Sequence, residues 1–182
     1  MALCFSERFR RSGPCGACGR GHAAQAGRRQ NGGGTAGFAR ADAAQAAGAV
    51  AAYEPWAIAN GILYTSGQLP WRDGKLLYTG KIGAALTPEE GYLACQLSTL
   101  NAIAQLKQAL GSLDKVKRIL RVEGVLNAAP GFTDMPAVLN GASHLVNAVF
   151  QERGRHTRMI YTNPEMPLDC ACLVIFWAEV LD

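Results

Sequence analysis

The segment Cys170–Val180 reads CACLVIFWAEV, and every residue in it before Glu179 is apolar. It does not show the alternation of apolar and polar residues that marks a strand with one face in water. A strand that is apolar on both faces is typical of the centre of a sheet. We therefore predict that this segment is the central strand of the domain, with Cys170 and Cys172 in the core.

Two further strands are predicted upstream of this segment. Residues 157–162, TRMIYT, form a short strand that follows Gly154, and a turn bounded by Pro164 and Pro167 connects it to the central strand. Residues 116–125 form a longer strand with mixed alternation.

A long helix is predicted to begin at Thr87-Pro88-Glu89-Glu90. Thr87 can cap the helix, Pro88 suits its first position, and Glu90 completes a capping box. Gly111 stands where the left-handed end of a helix is expected. The apolar residues at helical spacing between these ends predict a buried face of Leu93, Leu97, Leu100, Ile103, Ala104, Leu106 and Leu110.

A second helix is predicted to start at Thr133-Asp134-Met135-Pro136 and to end at Gly154. Its apolar residues also follow helical spacing. They predict a buried stripe of Val138, Ala142, Leu145, Val146, Val149 and Phe150.

The start of the domain carries two turn signals. Asn60-Gly61 lies between two short apolar runs and predicts a hairpin, because both residue types tolerate a positive φ. Asp73-Gly74 predicts another turn, followed by a third short strand at Leu76-Leu77-Tyr78.

The order of elements is therefore two or three strands, a helix, a strand, a helix and two strands. This order predicts an α/β (α+β) fold in which two helices pack on one face of a single mixed sheet. No helix remains to cover the other face. We therefore expect a second copy of the chain to cover it, in a homo-oligomer.

The first fifty residues differ from the rest in composition. Residues 1–40 hold seven of the 18 basic residues and one of the 14 acidic residues, so the remainder is slightly acidic. An Arg-rich, acid-poor N-terminus is typical of a mitochondrial transit peptide, and a Gly/Ala-rich disordered tail in a cytoplasmic protein is the alternative. The domain at 51–182 shows no basic patch for nucleic acid.

Six cysteines at irregular spacing indicate reduced thiols in an intracellular protein. Cys15 and Cys18 form a lone C-x-x-C pair without a second pair to complete a zinc site, so no metal is predicted. The sequence holds no apolar run long enough for a transmembrane helix, and it holds no motif for a cofactor.

Arg158 is the first candidate for a functional residue, because it leads a strand after the end of a helix. A guanidinium there can offer a planar fork to a carboxylate. Ser66 supplies a hydroxyl, and Gly67 lets a ligand approach the backbone. His144 is expected to be an ordinary helix residue and His156 a solvated one, and the sequence shows no pair of histidines for acid–base chemistry.

Two motifs resemble the Rid (reactive intermediate deaminase) family, also called YjgF or L-PSP. They are Tyr64-Thr65-Ser66-Gly67-Gln68-Leu69-Pro70 and Gly154-Arg155-His156-Thr157-Arg158 with Met166-Pro167-Leu168. The stretches 73–81 and 140–143 look like a longer-loop branch of that family. The resemblance covers residues 53–180. It implies a chorismate-mutase-like fold and a homotrimer with clefts between subunits.

The resemblance also implies a function. Members of the family hydrolyse enamines and imines to 2-oxo acids and ammonia, and some are described as endoribonucleases that inhibit translation. By match, Arg158 would be the catalytic residue that holds the carboxylate of a small metabolite. The other substrate-binding residues implied by match are Tyr53, Ser66, Gly67, Asn140 and, through its backbone carbonyl, Ile160.

Among the departures from the family pattern, which include Met159, Ile160 and Ile175, the one at Leu173 matters for the chemistry. Deaminating members carry a Glu where this chain has Leu173, and a leucine cannot orient or deprotonate a water. Three hypotheses follow: an imine or enamine deaminase, a non-catalytic trimer that binds a carboxylate metabolite, and, third, an endoribonuclease. Neither a cofactor, a membrane nor nucleic acid is expected as a partner.

Overall fold

The computed structural model describes residues 52–181. The N-terminal segment 1–50 lies outside these residues. The predictions of a transit peptide, of the localisation and of the role of Cys15 and Cys18 fall on this segment. The main elements are β1 Trp56–Ala59, β2 Ile62–Thr65, α1 Pro88–Leu110, β5 Val116–Leu126, α2 Met135–Phe150, β6 Thr157–Thr162 and β7 Cys172–Val180, and β3 and β4 are two short strands at Trp71–Arg72 and Lys75–Leu76. Five of the strands form the main sheet in the order β1-β2-β7-β5-β6, and the two helices pack on it. Within this sheet only β5 and β6 are parallel, so the predicted mixed α/β sheet is confirmed.

Strand β7 occupies the centre of the sheet, as predicted. Alternate residues, from Cys172 to Ala178, are fully buried under the helices. The residues between them point to the opposite face, where the side chain of Trp177 is 39% exposed. The helices therefore cover one face of the sheet, and the second apolar face of β7 is open in the single chain.

Both ends of α1 follow the predicted chemistry. Thr87 Oγ1 accepts a hydrogen bond from the Glu90 amide at 3.1 Å, and Glu90 Oε2 accepts one from the Thr87 amide at 2.8 Å. Gly111 ends the helix with a φ of 77°. Leu93 was predicted to be buried but is 46% exposed, because the buried face of α1 is narrower than its apolar stripe.

Helix α2 is shorter than predicted. It ends at Phe150, and residues 151–154 form a tight 3-10 turn that starts with Gln151 at a φ of 52°. The chain then reverses into β6. Gly154 is buried in this turn, where an added Cβ would lie 2.7 Å from the carbonyl oxygen of Val146. The turn therefore holds the start of β6 close against α2.

The Asn60-Gly61 hairpin is confirmed, with φ values of 52° and 71° that fit a type I′ turn. Asp73-Gly74 also forms a turn, but its strands β3 (Trp71–Arg72) and β4 (Lys75–Leu76) make a separate two-stranded sheet. The third strand predicted at Leu76-Leu77-Tyr78 therefore does not join the main sheet.

The three described cysteines, Cys95, Cys170 and Cys172, are buried and free. Burial raises the pKa of the Cys170 thiol to about 12. The hydrogen bond with Cys172 and burial together hold the pKa of Cys95 well above its usual value. Cys95 and Cys170 are therefore neutral core residues rather than nucleophiles. None of the helices within residues 52–181 is both long and apolar enough to span a membrane.

The packing of α2 predicts that Gly141→Ala is destabilising. In an isolated helix this change would add about 1 kcal/mol of stability. Here a Cβ at position 141 would overlap the carbonyl oxygen of Tyr92 on α1, which is backbone and cannot rotate away. We expect the free energy of unfolding, measured by urea denaturation, to fall by about 1–3 kcal/mol.

Gly91→Ala is the matched control within α1. An added Cβ there would meet the side-chain ends of Ile82 and Val138 at 3.0–3.1 Å, which can shift by a few tenths of an ångström. The loss should be smaller than for Gly141→Ala. A Gly141→Ala protein as stable as the wild type would contradict the backbone contact.

Candidate functional site

Arg158 lies near the start of β6, on the face of the sheet that carries α2. Its Cα pairs with Val122, which is buried beneath the helices. The guanidinium Nη1 donates to Asn140 Oδ1 at 2.8 Å and lies 3.5 Å from Ser143 Oγ. Asn140 and Ser143 are three residues apart on α2 and so share one side of that helix. The structure thus brings together two of the predicted site residues, Arg158 and Asn140.

These residues border an open groove of about 440 Å³ between α2 and the start of β6. The groove is lined by Asn140, Ser143, His144, Asn147, Arg155, His156 and Arg158. None of the lining residues is acidic. Arg155 is paired outside the groove lining with Glu152, 2.9 Å from Nε to Oε2, whereas Arg158 forms no ion pair within residues 52–181. The groove therefore carries an uncompensated positive charge at Arg158.

His156 is not the solvated residue that the sequence predicts. It is half-buried, and both ring nitrogens have partners. Nδ1 lies 2.6 Å from the carbonyl oxygen of Gly154, and Nε2 lies 3.1 Å from Ser143 Oγ. A carbonyl oxygen can only accept, so Nδ1 carries the hydrogen. The neutral ring then accepts the Ser143 hydroxyl hydrogen at Nε2.

Burial lowers the pKa of His156, and the charge of Arg158 lowers it further, against an opposing hydrogen bond to Gly154. The imidazole is therefore neutral at neutral pH. Sequence reasoning missed Ser143 and His156. The signal lay in their spacing, because Ser143 is one helical turn from Asn140 and His156 is two residues before Arg158 on an extended segment.

His144 also lines the groove, and its Nδ1 lies 3.0 Å from the Tyr92 hydroxyl oxygen. His144 and His156 thus line the same groove, and the expectation that no pair of histidines performs acid–base chemistry stays a prediction. Among the described residues, no group of three or more His, Cys, Asp or Glu side chains could hold a metal ion.

The remaining predicted residues form a second group near the end of β2. Ser66 Oγ donates to the carbonyl oxygen of Glu54 at 2.6 Å, and its amide donates to the Pro55 carbonyl at 2.8 Å, which ties Ser66 to the segment beside Tyr53. Tyr53 is exposed. Gly67 faces Leu173, and a Cβ at Gly67 would lie 3.1 Å from Leu173 Cδ1.

The two groups do not meet within one chain. Strands β2 and β6 are separated by β7 and β5, which is three strand spacings or about 14 Å. Leu173 pairs with Val125 on the face of the sheet opposite to Arg158. Ile160 turns its side chain towards the core, and its backbone lies on the edge strand β6, so its predicted carbonyl role stays a prediction.

A family model described as "YjgF/chorismate_mutase-like, putative endoribonuclease" matches residues 35–180. The chain belongs to this YjgF family. A crystal structure from Shewanella oneidensis, described as a "putative endoribonuclease", is 53% identical with a TM-score of 0.74, and the match covers 75% of this chain and 91% of that one.

Two other relatives of this YjgF-family protein carry no stated activity. The crystal structure of Atu1372 from Agrobacterium tumefaciens, a protein of unknown function, is 32% identical with a TM-score of 0.73, over 80% of this chain and 93% of that one. Protein TCP17 of Trypanosoma cruzi is 41% identical over 110 residues, which is 60% of this chain and 69% of the relative.

Leu173 of this YjgF-family chain lies in an apolar setting. It packs against a small cluster of Leu69, Val125, Met166 and Cys170. The acid Asp169 accepts a hydrogen bond at its Oδ1 from Asn127 Nδ2, at 3.0 Å, and does not line the groove. Within the described residues, no acidic side chain lines the Arg158 groove.

The lowered pKa of His156 predicts a pH dependence of stability. In the unfolded chain this imidazole takes up a proton near its ordinary pKa of 6.5, whereas the folded protein resists protonation. The stability that depends on the neutral ring is present above about pH 6.5 and is lost as the pH falls through the folded pKa. We expect the wild type to lose stability on acidification relative to His156→Gln.

The measurement is urea unfolding of both proteins across a pH series. A difference between the two proteins that stays constant with pH would show that His156 is protonated equally easily in both states.

Proposed function

We propose that this protein hydrolyses small 2-imino or enamine acids to 2-oxo acids and ammonia, and that Arg158 binds the substrate carboxylate. The observation that carries the proposal is the state of Arg158. Its Nη1 is fixed by Asn140 Oδ1 at 2.8 Å, and no acidic side chain of the described chain pairs with it. The other N–H groups of the guanidinium can form a planar fork for a carboxylate.

The groove suits a small polar metabolite. Its volume of about 440 Å³ lies within the usual range of small-molecule sites. Beside Arg158 stand an amide, a hydroxyl and an imidazole, from Asn147, Ser143 and His156. These groups can hold the nitrogen of an imine and a water while the guanidinium holds the carboxylate.

The proposed active unit is a homotrimer. The sheet face without helices exposes Trp177, Met159 and Tyr161, whose side chains are 39%, 44% and 41% exposed. An apolar surface of this kind is typical of a subunit interface. Because β6 is an edge strand, an interface that reaches Met159 and Tyr161 would bring the Tyr53–Ser66–Gly67 group of the next copy to the edge of the sheet that also carries Arg158. A contact between two different surfaces closes into a ring when the rotation between neighbouring copies divides a full turn. Three copies are the number that the family resemblance implies.

A non-catalytic trimer that binds a carboxylate metabolite is the second candidate. Leu173 favours it, because this side chain covers Gly67 with apolar surface at the position where a carboxylate is expected. Both candidates bind a carboxylate at Arg158. A measurement of substrate hydrolysis distinguishes them, because only the hydrolase releases ammonia.

RNA cleavage is less well supported by the groove. Cleavage of a phosphodiester by two histidines needs an acid and a base that both reach the substrate. The two ring nitrogens of His156 contact Gly154 and Ser143, so this ring reaches a ligand only through Ser143, and Nδ1 of His144 contacts the Tyr92 hydroxyl. The domain is also slightly acidic overall, whereas RNA-binding surfaces are basic.

Arg158→Ala is expected to abolish ligand binding. Pyruvate, a small 2-oxo acid, should raise the melting temperature of the wild type, and Arg158→Ala should remove the rise. Arg158→Lys should keep part of it, since lysine keeps the charge and loses the fork. Arg72→Ala, an exposed arginine on β3, is the matched control. Equal stabilisation of Arg158→Ala and wild type by pyruvate would exclude Arg158 as the carboxylate site.

Leu173→Glu is expected to raise the rate of hydrolysis, because it adds a carboxylate that can deprotonate water. General-base groups commonly contribute about 10²–10⁴ in rate, which sets the upper limit of the gain. Release of ammonia from freshly generated 2-aminoacrylate measures it. Leu173→Gln is the matched control, with the same length and no base. A folded Leu173→Glu protein no faster than Leu173→Gln would remove this position from the explanation of activity.

A further inference from the structure

We propose that Ser143 and His156 form a proton-transfer pair on the wall of the Arg158 groove, and that this pair activates the hydrolytic water that Leu173 cannot activate. Neither residue was expected from the family resemblance to act on the substrate. The inference rests on the proposed function, since it takes the carboxylate on Arg158 as the fixed end of the substrate. Ser143 contacts the water, and His156 acts through Ser143 as the base.

The hydrogen bonds around His156 give the pair a direction. The Gly154 carbonyl at 2.6 Å fixes the hydrogen on Nδ1, so the Nε2 lone pair faces the Ser143 hydroxyl at 3.1 Å. Ser143 Oγ then has lone pairs left for a further donor. A hydroxyl, a base and a third group that orients the base are the recurring parts of an activated hydroxyl.

Secondary structure, rather than chance contact, brings the parts together. Asn140 and Ser143 lie one turn apart on α2, and His156 and Arg158 lie two residues apart as the chain enters β6, so each pair points in one direction. The turn at Gly154 presses the start of β6 against α2. Arg158 Nη1 therefore lies 3.5 Å from Ser143 Oγ, and the hydroxyl stands beside the expected carboxylate.

The charges around His156 keep it available as a base. Arg158 on β6, with Arg155 just before that strand, brings positive charge to the groove, and Glu152 in the preceding turn pairs with Arg155. Arg153 points away, to the carbonyl oxygens of Asp114 and Val116. His144 is the remaining titratable group on α2 at the groove. Burial and Arg158 lower the pKa of His156, so the neutral form is present at neutral pH.

The reaction balances with water as the only co-reactant. The substrate is a 2-iminium acid, with a C=NH₂⁺ group. Water forms a C–O bond to the iminium carbon, and the C=N electron pair moves to nitrogen. The proton that water loses goes to Ser143 Oγ as the Ser143 hydrogen moves to His156 Nε2. This step gives a carbinolamine and an imidazolium.

The second half returns the proton. The imidazolium protonates the amine through Ser143, the C–N bond breaks, and the C=O bond of the 2-oxo acid forms from the hydroxyl oxygen. The hydroxyl proton leaves to the pair and then to the ammonia. The net change is iminium and water to 2-oxo acid and ammonium.

The test uses the full chain and the variants Ser143→Ala, His156→Asn and Arg158→Ala, with Ser112→Ala as a control at a helix cap outside the groove. Asparagine at 156 keeps a donor for the Gly154 carbonyl and removes the base. Release of ammonia from freshly generated 2-aminoacrylate gives kcat, and the thermal shift with pyruvate gives binding. We expect kcat to fall about 10²-fold or more in Ser143→Ala and His156→Asn, with the pyruvate shift kept.

Two readouts separate proton transfer from a merely structural role. The kcat of the wild type should decline on the acid side with the titration of His156, and this limb should be absent from the residual activity of His156→Asn. In the ¹⁵N NMR spectrum of the wild type, Nδ1 of His156 should be the protonated nitrogen. A ring protonated at Nε2 would overturn the pair. The pair would also be overturned if kcat of the wild type and of His156→Asn depended on pH in the same way.

The outcomes distinguish this inference from the proposed function. Unchanged kcat in His156→Asn, with kcat lost in Arg158→Ala, overturns the pair and leaves the hydrolase standing. A wild type that binds pyruvate without releasing ammonia overturns both the hydrolase and the pair and leaves the binding trimer. Covalent labelling of Ser143 by a fluorophosphonate, with no loss of kcat in His156→Asn, would make Ser143 a nucleophile and overturn the pair.

Discussion

The position of α2 depends on two close contacts at glycines, and at Gly141 the contact is with backbone that cannot move aside. At Gly124 of β5 the side chain of Leu139 lies where a Cβ would be, and at Gly141 the backbone of α1 does. Close-packed interiors transmit such constraints rather than absorbing them. Because α2 is held by the sheet below and by α1 beside it, the distance of Asn140 and Ser143 from β6 is fixed. This distance determines the contacts that Arg158 and His156 make with α2.

The features that sequence alone predicted are local ones. The capping box of α1 and the Asn60-Gly61 turn depend on residues within four positions of one another, and both formed as expected. The central position of β7 followed from its composition. The prediction that Leu93 is buried was wrong. Helical spacing shows which residues of α1 form an apolar stripe, but it does not show how the helix is rotated about its axis when it packs on its neighbours.

The site was predicted in part for the same reason. Arg158 was predicted from its position at the start of a strand and Asn140 from a motif resemblance, and the structure places Arg158 Nη1 2.8 Å from Asn140 Oδ1. The contact between Ser143 and His156 depends on the turn at residues 151–154, whose path the sequence does not show. It depends also on the carbonyl oxygen of Gly154, and the position of a backbone atom cannot be read from residue types. Hydrogen bonds from side chain to backbone across a turn are thus the part of a site that residue patterns reveal least.

The placement of Arg158, the proposed carboxylate-binding residue, on an edge strand has a thermodynamic consequence. In the proposed trimer, a ligand held by Arg158 on β6 of one copy would also touch residues near β2 of the next. Such a ligand stabilises the assembled state over the separated chains by mass action. Affinity and assembly would then be linked functions, so that dilution of the protein weakens binding and saturation with metabolite protects the oligomer. The concentration of the metabolite would in this way set the lifetime of the assembly that consumes it.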